Sequence, residues 1–466
     1  MASSRESVPH VFVIPLPTQG HVSPLMHLSQ ALASRGFVIT FINTEANQEC
    51  MKNTLEDGHG LDIRFETVPG IQGTGIDLSH DEGRLIFTQG LINMEGPVEK
   101  LLKDKLVSAD PPISCLISDM LFRWPEDVAR RIGVPSFIFW CASASCILLE
   151  CSVPQMFEKG DIPVRVPDLS IDKSITYVRG LSPLPLWGLP CELSFSDDPG
   201  FTRRYNRINH VATVSGVLVN SFEELEGSGA FQALREINPN TVAVGPVFLS
   251  SLADNASLWK EDTECLTWLN EQKPQSVLYI SFGSLGTLDL EQLKEILAGL
   301  EELQRPFILA IRPKSVPGME PEFLEAFKER VISFGLVVSW APQLKILRHP
   351  STGGYLSHCG WNSILESVSS AVPILCWPCV AEQNLNCKLI VEDWKIGLKF
   401  SRVRDPRKVV ARDEFVEVVE QLMGAESGDS FRRNVKELSK AAQRAAVKGG
   451  SSYESLDKFV KAVEVL

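Results

Sequence analysis

A chain of 466 residues is longer than one hydrophobic core ordinarily organises and suits two domains of about 200 residues each. Its 44% hydrophobic and 22% charged residues are those of a globular protein, and a net charge of −13 excludes a binder that tracks nucleic-acid phosphates with a basic face. Eleven cysteines, an odd number without regular spacing, fit free thiols in a reducing compartment better than a disulfide framework.

The start, Met1 to Pro9, is polar and shows no secretory core, so a cytoplasmic protein is expected. His10 to Leu16 reads as a first strand stopped by Pro15 and Pro17. Gly20 turns the chain, and His21 to Ser34 reads as a helix with Pro24 in its first turn. Phe37 to Ile42 is a second strand. The alternation continues through Ile113 to Ser118, Trp124 to Ile132 and Ser136 to Phe139, which argues for a parallel sheet covered by helices on both faces. The most apolar stretch, Val134 to Leu149, is broken by Ser136, Ser143 and Ser145 and is too short to span a bilayer.

Residues 153–205 are rich in Pro, Gly and polar side chains and read as surface loops with short helices. Val217 to Asn220 and Thr241 to Val244 close a first domain over 1–245, and 246–262 is a linker. The sequon Asn255-Ala-Ser257 falls in it and carries no meaning in a cytosolic chain. A second alternating unit over 263–451 begins with a strand at Val277 to Phe282, a turn at Gly283 to Gly286, a helix at Asp289 to Leu303 and a strand at Pro306 to Ile311. The expected architecture is α/β, with two facing Rossmann-like doubly wound domains.

The stretch from Trp340 to Gln383 carries the chemistry. Thr352 to Ser357 suits a buried strand, His358 to Trp361 a glycine-containing turn, and from Asn362 the pattern is helical with Ile364, Leu365 and Val368 apolar. A helix opening directly after a strand offers unpaired N–H groups and a positive dipole end to an anion. His358, Asn362 and Ser363 add side-chain donors suited to a diphosphate. Ser363-x-x-Glu366 can also be read as a capping box that closes the helix start. Cys376-Trp-Pro-Cys379 is a C-x-x-C, but it follows a strand, contains a proline and lacks a second pair, so packed thiols are expected.

Trp340-Ala-Pro-Gln343, His358-Cys-Gly-Trp-Asn-Ser363, Glu366 and Ala-Glu382-Gln383 together resemble the donor-binding box of the plant UDP-sugar-dependent glycosyltransferases. The resemblance extends to Pro15-x-Pro-x-Gln-Gly-His21, Cys265-Leu-x-Trp268-Leu and Ser281-Phe-Gly-Ser284, nearly the whole chain. It implies the GT-B fold, with a final helix at 452–466 crossing back to the first domain. It further implies that Trp340, with Ala341 beside it, stacks on uracil, that Gln343 holds base and ribose, and that Glu366 binds the ribose hydroxyls. His358, Asn362 and Ser363 are implied on the diphosphate, with Trp361, Glu382 and Gln383 on the sugar, and Ser284 is a further donor-binding position.

His21 follows the first strand and Asp119 the strand Ile113 to Ser118, so both project beyond the carboxyl ends of an open sheet, where ligands bind. A histidine takes a hydroxyl proton near neutral pH, and a carboxylate on its other nitrogen stabilises the imidazolium. The family's catalytic dyad matches at this pair. Read singly, His21 could be a helix-start histidine and Asp119 an N-cap for the helix near Trp124. No Asp-x-Asp occurs, so no metal and no cofactor are expected, with UDP-glucose as co-substrate.

The resemblance pairs Gln383 with glucose. By analogy Phe122, Trp140, Ser143, Met156, Trp187 and Val380 wall the acceptor site, and Cys379-Val380 departs from the aromatic residue common before Ala-Glu/Asp-Gln. The expected activity is inverting transfer of glucose to a hydroxyl of a small lipophilic acceptor (phenolic, flavonoid, terpenoid or hormone-like) by a monomer without nucleic-acid or membrane partners. A sugar-nucleotide epimerase or hydrolase of the same fold, and a non-catalytic sugar-nucleotide-binding protein, are the alternatives.

Overall fold

The structure is a computed structural model that describes residues 8–51, 60–71, 81–164, 173–190, 193, 206–251, 257–284, 286, 288–312, 315–403, 405 and 408–465. Asn255 of the sequon lies outside them. The strands, in chain order, are β1 (His10–Ile14), β2 (Val38–Thr44), β3 (Ile63–Val68), β4 (Ile113–Asp119), β5 (Ser136–Trp140), β6 (Ser174–Ile175), β7 (Leu184–Pro185), β8 (Gly216–Val219) and β9 (Thr241–Ala243). Then follow β10 (Val277–Ser281), β11 (Phe307–Ala310), β12 (Gly335–Val338), β13 (Thr352–Ser357), β14 (Ile374–Cys376) and β15 (Gly397–Lys399).

The chain divides into two compact units. The first comprises 1–147, 207–259 and 443–466. Its sheet runs β3-β2-β1-β4-β5-β8-β9, with every pair parallel. Strands β1, β2 and β5 are buried along their full length and β4 from Cys115 on, as a sheet covered on both faces requires. Phe12, Ile14 and Leu116 pack with Phe122, Trp124 and Val128 into one core on one face. Strand β1 sits between β2 and β4, so the crossovers diverge on its two sides. That switch point is where an open parallel sheet leaves a crevice beyond its strand ends.

The last helix, Ser451–Glu464, belongs to this unit. Phe459 meets Phe137 edge-on at 5.0 Å, the Ser452 hydroxyl donates to the Gly245 carbonyl at 2.6 Å, and Asp457 pairs with Arg35 at 2.9 Å. The first helix, Gln19–Ala33, opens two residues earlier than its sequence pattern suggests, so Pro24 lies in its second turn.

The second unit comprises 148–206 and 260–442. Its sheet repeats the same design in the order β12-β11-β10-β13-β14-β15, all parallel, with the switch point between β10 and β13. The described residues among 148–206, grouped on sequence grounds with the first domain, cluster with this unit. The Ser182 hydroxyl donates to Asp393 at 2.7 Å, Lys388 pairs with Asp393 at 2.7 Å, and Lys399 Nζ lies 3.5 Å above the Trp187 ring. Among the described residues no helix is long and apolar enough to cross a membrane.

Candidate active site

In the first unit, β1 and β4 run side by side with Ile14 opposite Ser118, so Asp119 emerges one residue past the end of β1. The helix after β1 carries His21 in its first turn over the same edge. His21 Nδ1 and Asp119 Oδ2 are 2.6 Å apart, and Asp119 Oδ1 accepts the Leu121 N–H at 2.9 Å. Asp119 is fully buried, while 19% of the His21 side chain remains exposed. Burial opposes charge on His21, but the Asp119 carboxylate and the neighbouring Cys141 overcome it and hold the pKa well above its ordinary value. With Nδ1 committed to Asp119, Nε2 is the nitrogen left to take a proton.

The helix over Trp124–Ile132 has Arg123 at its N-cap. Asp119 does not cap it, which removes the alternative reading of that residue. Cys141, one residue past β5, was not singled out by the sequence. Its Sγ lies 3.1 Å from His21 Nδ1 and 3.9 Å from Asp119 Oδ2, and the three side chains form a group whose donor atoms suit a metal ion.

In the second unit the same place at the strand ends holds the turn expected from the sequence to take the diphosphate. Ser281 of β10 is paired with Ser357 of β13, so the Gly283–Ser284 turn lies beside the His358 turn. The helix begins at Trp361, with Gly360 as N-cap. Glycine is required twice here: a Cβ on Gly360 would stand 2.3 Å from His358 Nε2, and one on Gly283, whose φ is +72°, would stand 2.5 Å from it. Between them, Cys359 takes a left-handed φ of +63°, a strain on the order of 1–2 kcal/mol for a non-glycine residue. The turn is held by Cys359 N–H donating to Ser357 Oγ at 3.1 Å and by Asn386 Nδ2 donating to the Cys359 carbonyl at 3.0 Å. Burial lowers the His358 pKa to about 4, so the ring is neutral at physiological pH and offers an anion a hydrogen bond rather than a charge.

Ser363 is the third residue of this helix and Glu366 the sixth, so neither forms a capping box. Gln343 instead donates through Nε2 to Glu366 at 2.7 Å and Ser363 at 2.9 Å, while its Oε1 accepts from Tyr355 at 2.9 Å and Tyr279 at 3.4 Å. The two tyrosine rings stack at 5.0 Å. Burial pushes the Glu366 carboxyl up to about 7, against the opposing pull of Gln343 and Arg348. Trp340 is half-buried and its carbonyl accepts the Asp262 N–H at 2.9 Å, while Ala341 is buried.

Of the residues expected at the sugar, Glu382 is the N-cap of a short helix, Gln383–Lys388, after Ala381 at φ +55°. Gln383 Oε1 accepts two backbone N–H groups, from Cys379 at 2.8 Å and Val380 at 2.9 Å. Both acceptor positions are therefore used, and Nε2 is the part left for a ligand. Asn386, also missed in the sequence, ties this segment to the His358 turn, since the Nδ2 that holds Cys359 lies 3.3 Å from Glu382 Oε1. Trp361 is nearly fully buried, with Trp394 at 6.2 Å. Cys376 ends β14 as a free thiol in contact with Cys359 and Cys387, and Cys379 is also free.

The acceptor-wall residues fall in different settings. Phe122 and Trp140 are buried in the first unit, against Trp124 and Arg207 respectively, and the Ser143 hydroxyl accepts the Cys146 N–H at 3.0 Å. Met156 and Trp187 are buried in the second unit, whereas Val380 is 41% exposed.

Two doubly wound units, one with a histidine–carboxylate pair at its switch point and the other with a glycine-containing turn that opens a helix, are the parts of a GT-B glycosyltransferase. Residues 235–449 match the family described as UDP-glucoronosyl and UDP-glucosyl transferase, and residues 6–64 match the glycosyltransferase N-terminal domain. Linamarin synthase 1 of Manihot esculenta is 34% identical, with 99% of this chain and 98% of the relative covered. The 7-deoxyloganetin glucosyltransferase of Gardenia jasminoides is also 34% identical, over 97% of each chain. Among solved structures, Phytolacca americana UGT2 complexed with UDP-2-fluoro-glucose and pterostilbene is 28% identical with a TM-score of 0.81, covering 98% of this chain and 100% of the other. The chain belongs to the UDP-glycosyltransferase family and is an enzyme of that type, drawing on a UDP-sugar donor.

Proposed function

We propose that this enzyme transfers glucose from UDP-glucose to a hydroxyl of a small lipophilic acceptor, with inversion and without a metal. The observation that carries the reading is the 2.6 Å pair of His21 Nδ1 and Asp119 Oδ2. A protein that only stored a sugar nucleotide would need neither residue. His21 Nε2 takes the acceptor hydroxyl proton, Asp119 stabilises the imidazolium, and the oxygen displaces UDP from the anomeric carbon. The helix opening at Trp361 and the neutral His358 receive the charge that develops on the leaving diphosphate.

Glucose is favoured because Gln383 offers its Nε2 donor beside the Glu382 carboxylate, a pair suited to adjacent hydroxyls. The relatives named for linamarin and 7-deoxyloganetin, and the neighbour solved with pterostilbene, support a small organic acceptor. Val380, the exposed member of the wall, is the position most open to one. We assign the enzyme to the cytoplasm, a reading supported by the free thiols among the described residues, and take it to act as a monomer.

The test is UDP release from UDP-glucose over a panel of phenols, flavonoids, terpenoids and hydroxylated hormones. Acceptor-dependent release that persists in EDTA is expected. Release without any acceptor, at the same rate, would make the protein a hydrolase, and strong inhibition by EDTA would overturn the metal-free mechanism.

A further inference from the structure

We propose that His21, Asp119 and Cys141 form a capture site for a thiophilic divalent cation, zinc by its donor set, whose occupation switches the enzyme off. The three residues stand at the ends of neighbouring elements: Asp119 closes β4, Cys141 follows β5, and β4 lies between β1 and β5 in the sheet. The fold therefore brings an imidazole, a carboxylate and a thiol to one point. Their donor atoms all lie within 4.8 Å of one another.

The separations are 2.6 Å for N to O, 3.1 Å for S to N and 3.9 Å for S to O. Ligand atoms around a tetrahedral zinc, at ordinary Zn–N, Zn–O and Zn–S lengths, are roughly 3.4–3.6 Å apart. Side-chain shifts of less than about 1 Å convert one arrangement into the other. Asp119 keeps its second oxygen on the Leu121 N–H, so one carboxylate oxygen can leave His21 for the metal without losing its anchor. The residue through which the site meets solvent is His21, since Asp119 is fully buried and Cys141 only 6% exposed.

Starting from the neutral ring that serves as base, binding forms Zn–N, Zn–O and Zn–S bonds, the thiol releases its proton and the ring's one hydrogen moves from Nδ1 to Nε2; the site is then neutral overall, with the thiolate and carboxylate offsetting the cation. Metal on Nδ1 leaves the imidazole hydrogen on Nε2. That is the nitrogen the proposed reaction uses to accept a proton, so the bound ring is no longer a base. The inhibitory consequence rests on the His21 assignment above; the binding site does not.

Cobalt(II) is the probe for binding. Added to the full-length wild type, it should give a thiolate-to-cobalt charge-transfer band and tetrahedral visible bands that weaken in Cys141→Ala and in the conservative Cys141→Ser, both checked for native circular dichroism. The other cysteines contribute equally to all three spectra. In parallel, zinc should inhibit the wild type reversibly, with EDTA restoring the rate. Each variant, compared with its own metal-free rate, should need at least about tenfold more zinc for half inhibition. Identical cobalt spectra in wild type and variants would overturn the site and leave the base assignment untouched. Cobalt held at Cys141 with no loss of rate would overturn the switch and count against His21 as the base.

Discussion

Gln343 and Glu366, 23 residues apart, share a hydrogen bond of 2.7 Å in which the amide donates and the buried carboxyl accepts. With the carboxyl pushed up to about 7, its protonation changes across the physiological range. The ribose hydroxyls are donors, and an ionised carboxylate accepts from them best. UDP affinity is therefore expected to rise with pH up to about 7 and level off above it, by at most about tenfold per unit on the acid side. The folded carboxyl binds its proton more tightly than the unfolded one, so without ligand this group's contribution to stability falls as pH rises from about 4.5 towards 7. Calorimetric titration with UDP at several pH values tests the first and thermal unfolding of the ligand-free protein at the same pH values the second, and a Glu366→Gln variant with the same pH dependence would assign it to another group.

His21→Ala should lower turnover by roughly 10²–10⁴-fold while leaving UDP affinity nearly unchanged, because the residues proposed to hold the nucleotide all belong to the second unit. Asp119→Asn should impair the same step less, since an amide cannot stabilise the imidazolium as a carboxylate does. Activity per folded molecule, with a melting curve for each variant, separates the roles. An Asp119→Asn protein that is destabilised but fully active would reduce Asp119 to a structural residue.

For the phosphate turn, His358→Ala should weaken UDP and UDP-glucose alike by about 1.5–3 kcal/mol, the scale of a hydrogen bond to a charged group. A second variant isolates ring placement from ring chemistry. Gly283→Ala keeps the histidine but puts a methyl 2.5 Å from its Nε2 at a φ of +72°, so it should weaken UDP in the same direction. Unchanged affinity in Gly283→Ala would show that His358 does not need its present position to bind the diphosphate.

Much of this site is written locally. The strand Thr352 to Ser357, the turn after it and the helix beyond are set by burial period and glycine, and the structure places them as the pattern does, with the helix opening one residue earlier. What has no local signature is the partner choice. Gln343 reaches Tyr279 across 64 residues, and only the sheet order brings β10 and β13 together so that both tyrosines meet it. The capping-box reading of Ser363 and Glu366 fails for the same reason, because a tertiary partner outcompetes a local one. Strand β3 was invisible because it is an edge strand, largely unburied, and β15 because three residues carry no period. Cys141 gave no signal of its own; it matters through neighbours supplied by two other strands.

Gln383 tests donor choice. With its oxygen occupied by Cys379 and Val380, the residue meets sugar as a donor only. The wild type should prefer UDP-glucose over UDP-galactose and UDP-glucuronate, since a misplaced hydroxyl leaves a buried polar group unpaired. Gln383→Glu keeps the two backbone bonds and removes the donor, and should reduce glucose transfer with the loop intact. Gln383→His should lose both and erode the preference mainly by losing glucose activity. Initial rates with the three donors decide it: equal or better use of UDP-galactose by the wild type would break the glucose assignment.

The return of residues 443–466 to the first unit, with Phe459 set against Phe137 and Ser452 on the Gly245 carbonyl, bears on how such enzymes can be recombined. A chimera joined at a single point near residue 260 would give one parent's sheet the other parent's tail, and every mismatch at that helix would be borne by the half it was meant to preserve. Residues 148–206 pose the opposite problem, because they precede the boundary in the chain yet group with the unit formed after it. Workable grafts between relatives therefore need four junctions rather than one, with the tail travelling with the first half and the middle loops with the second.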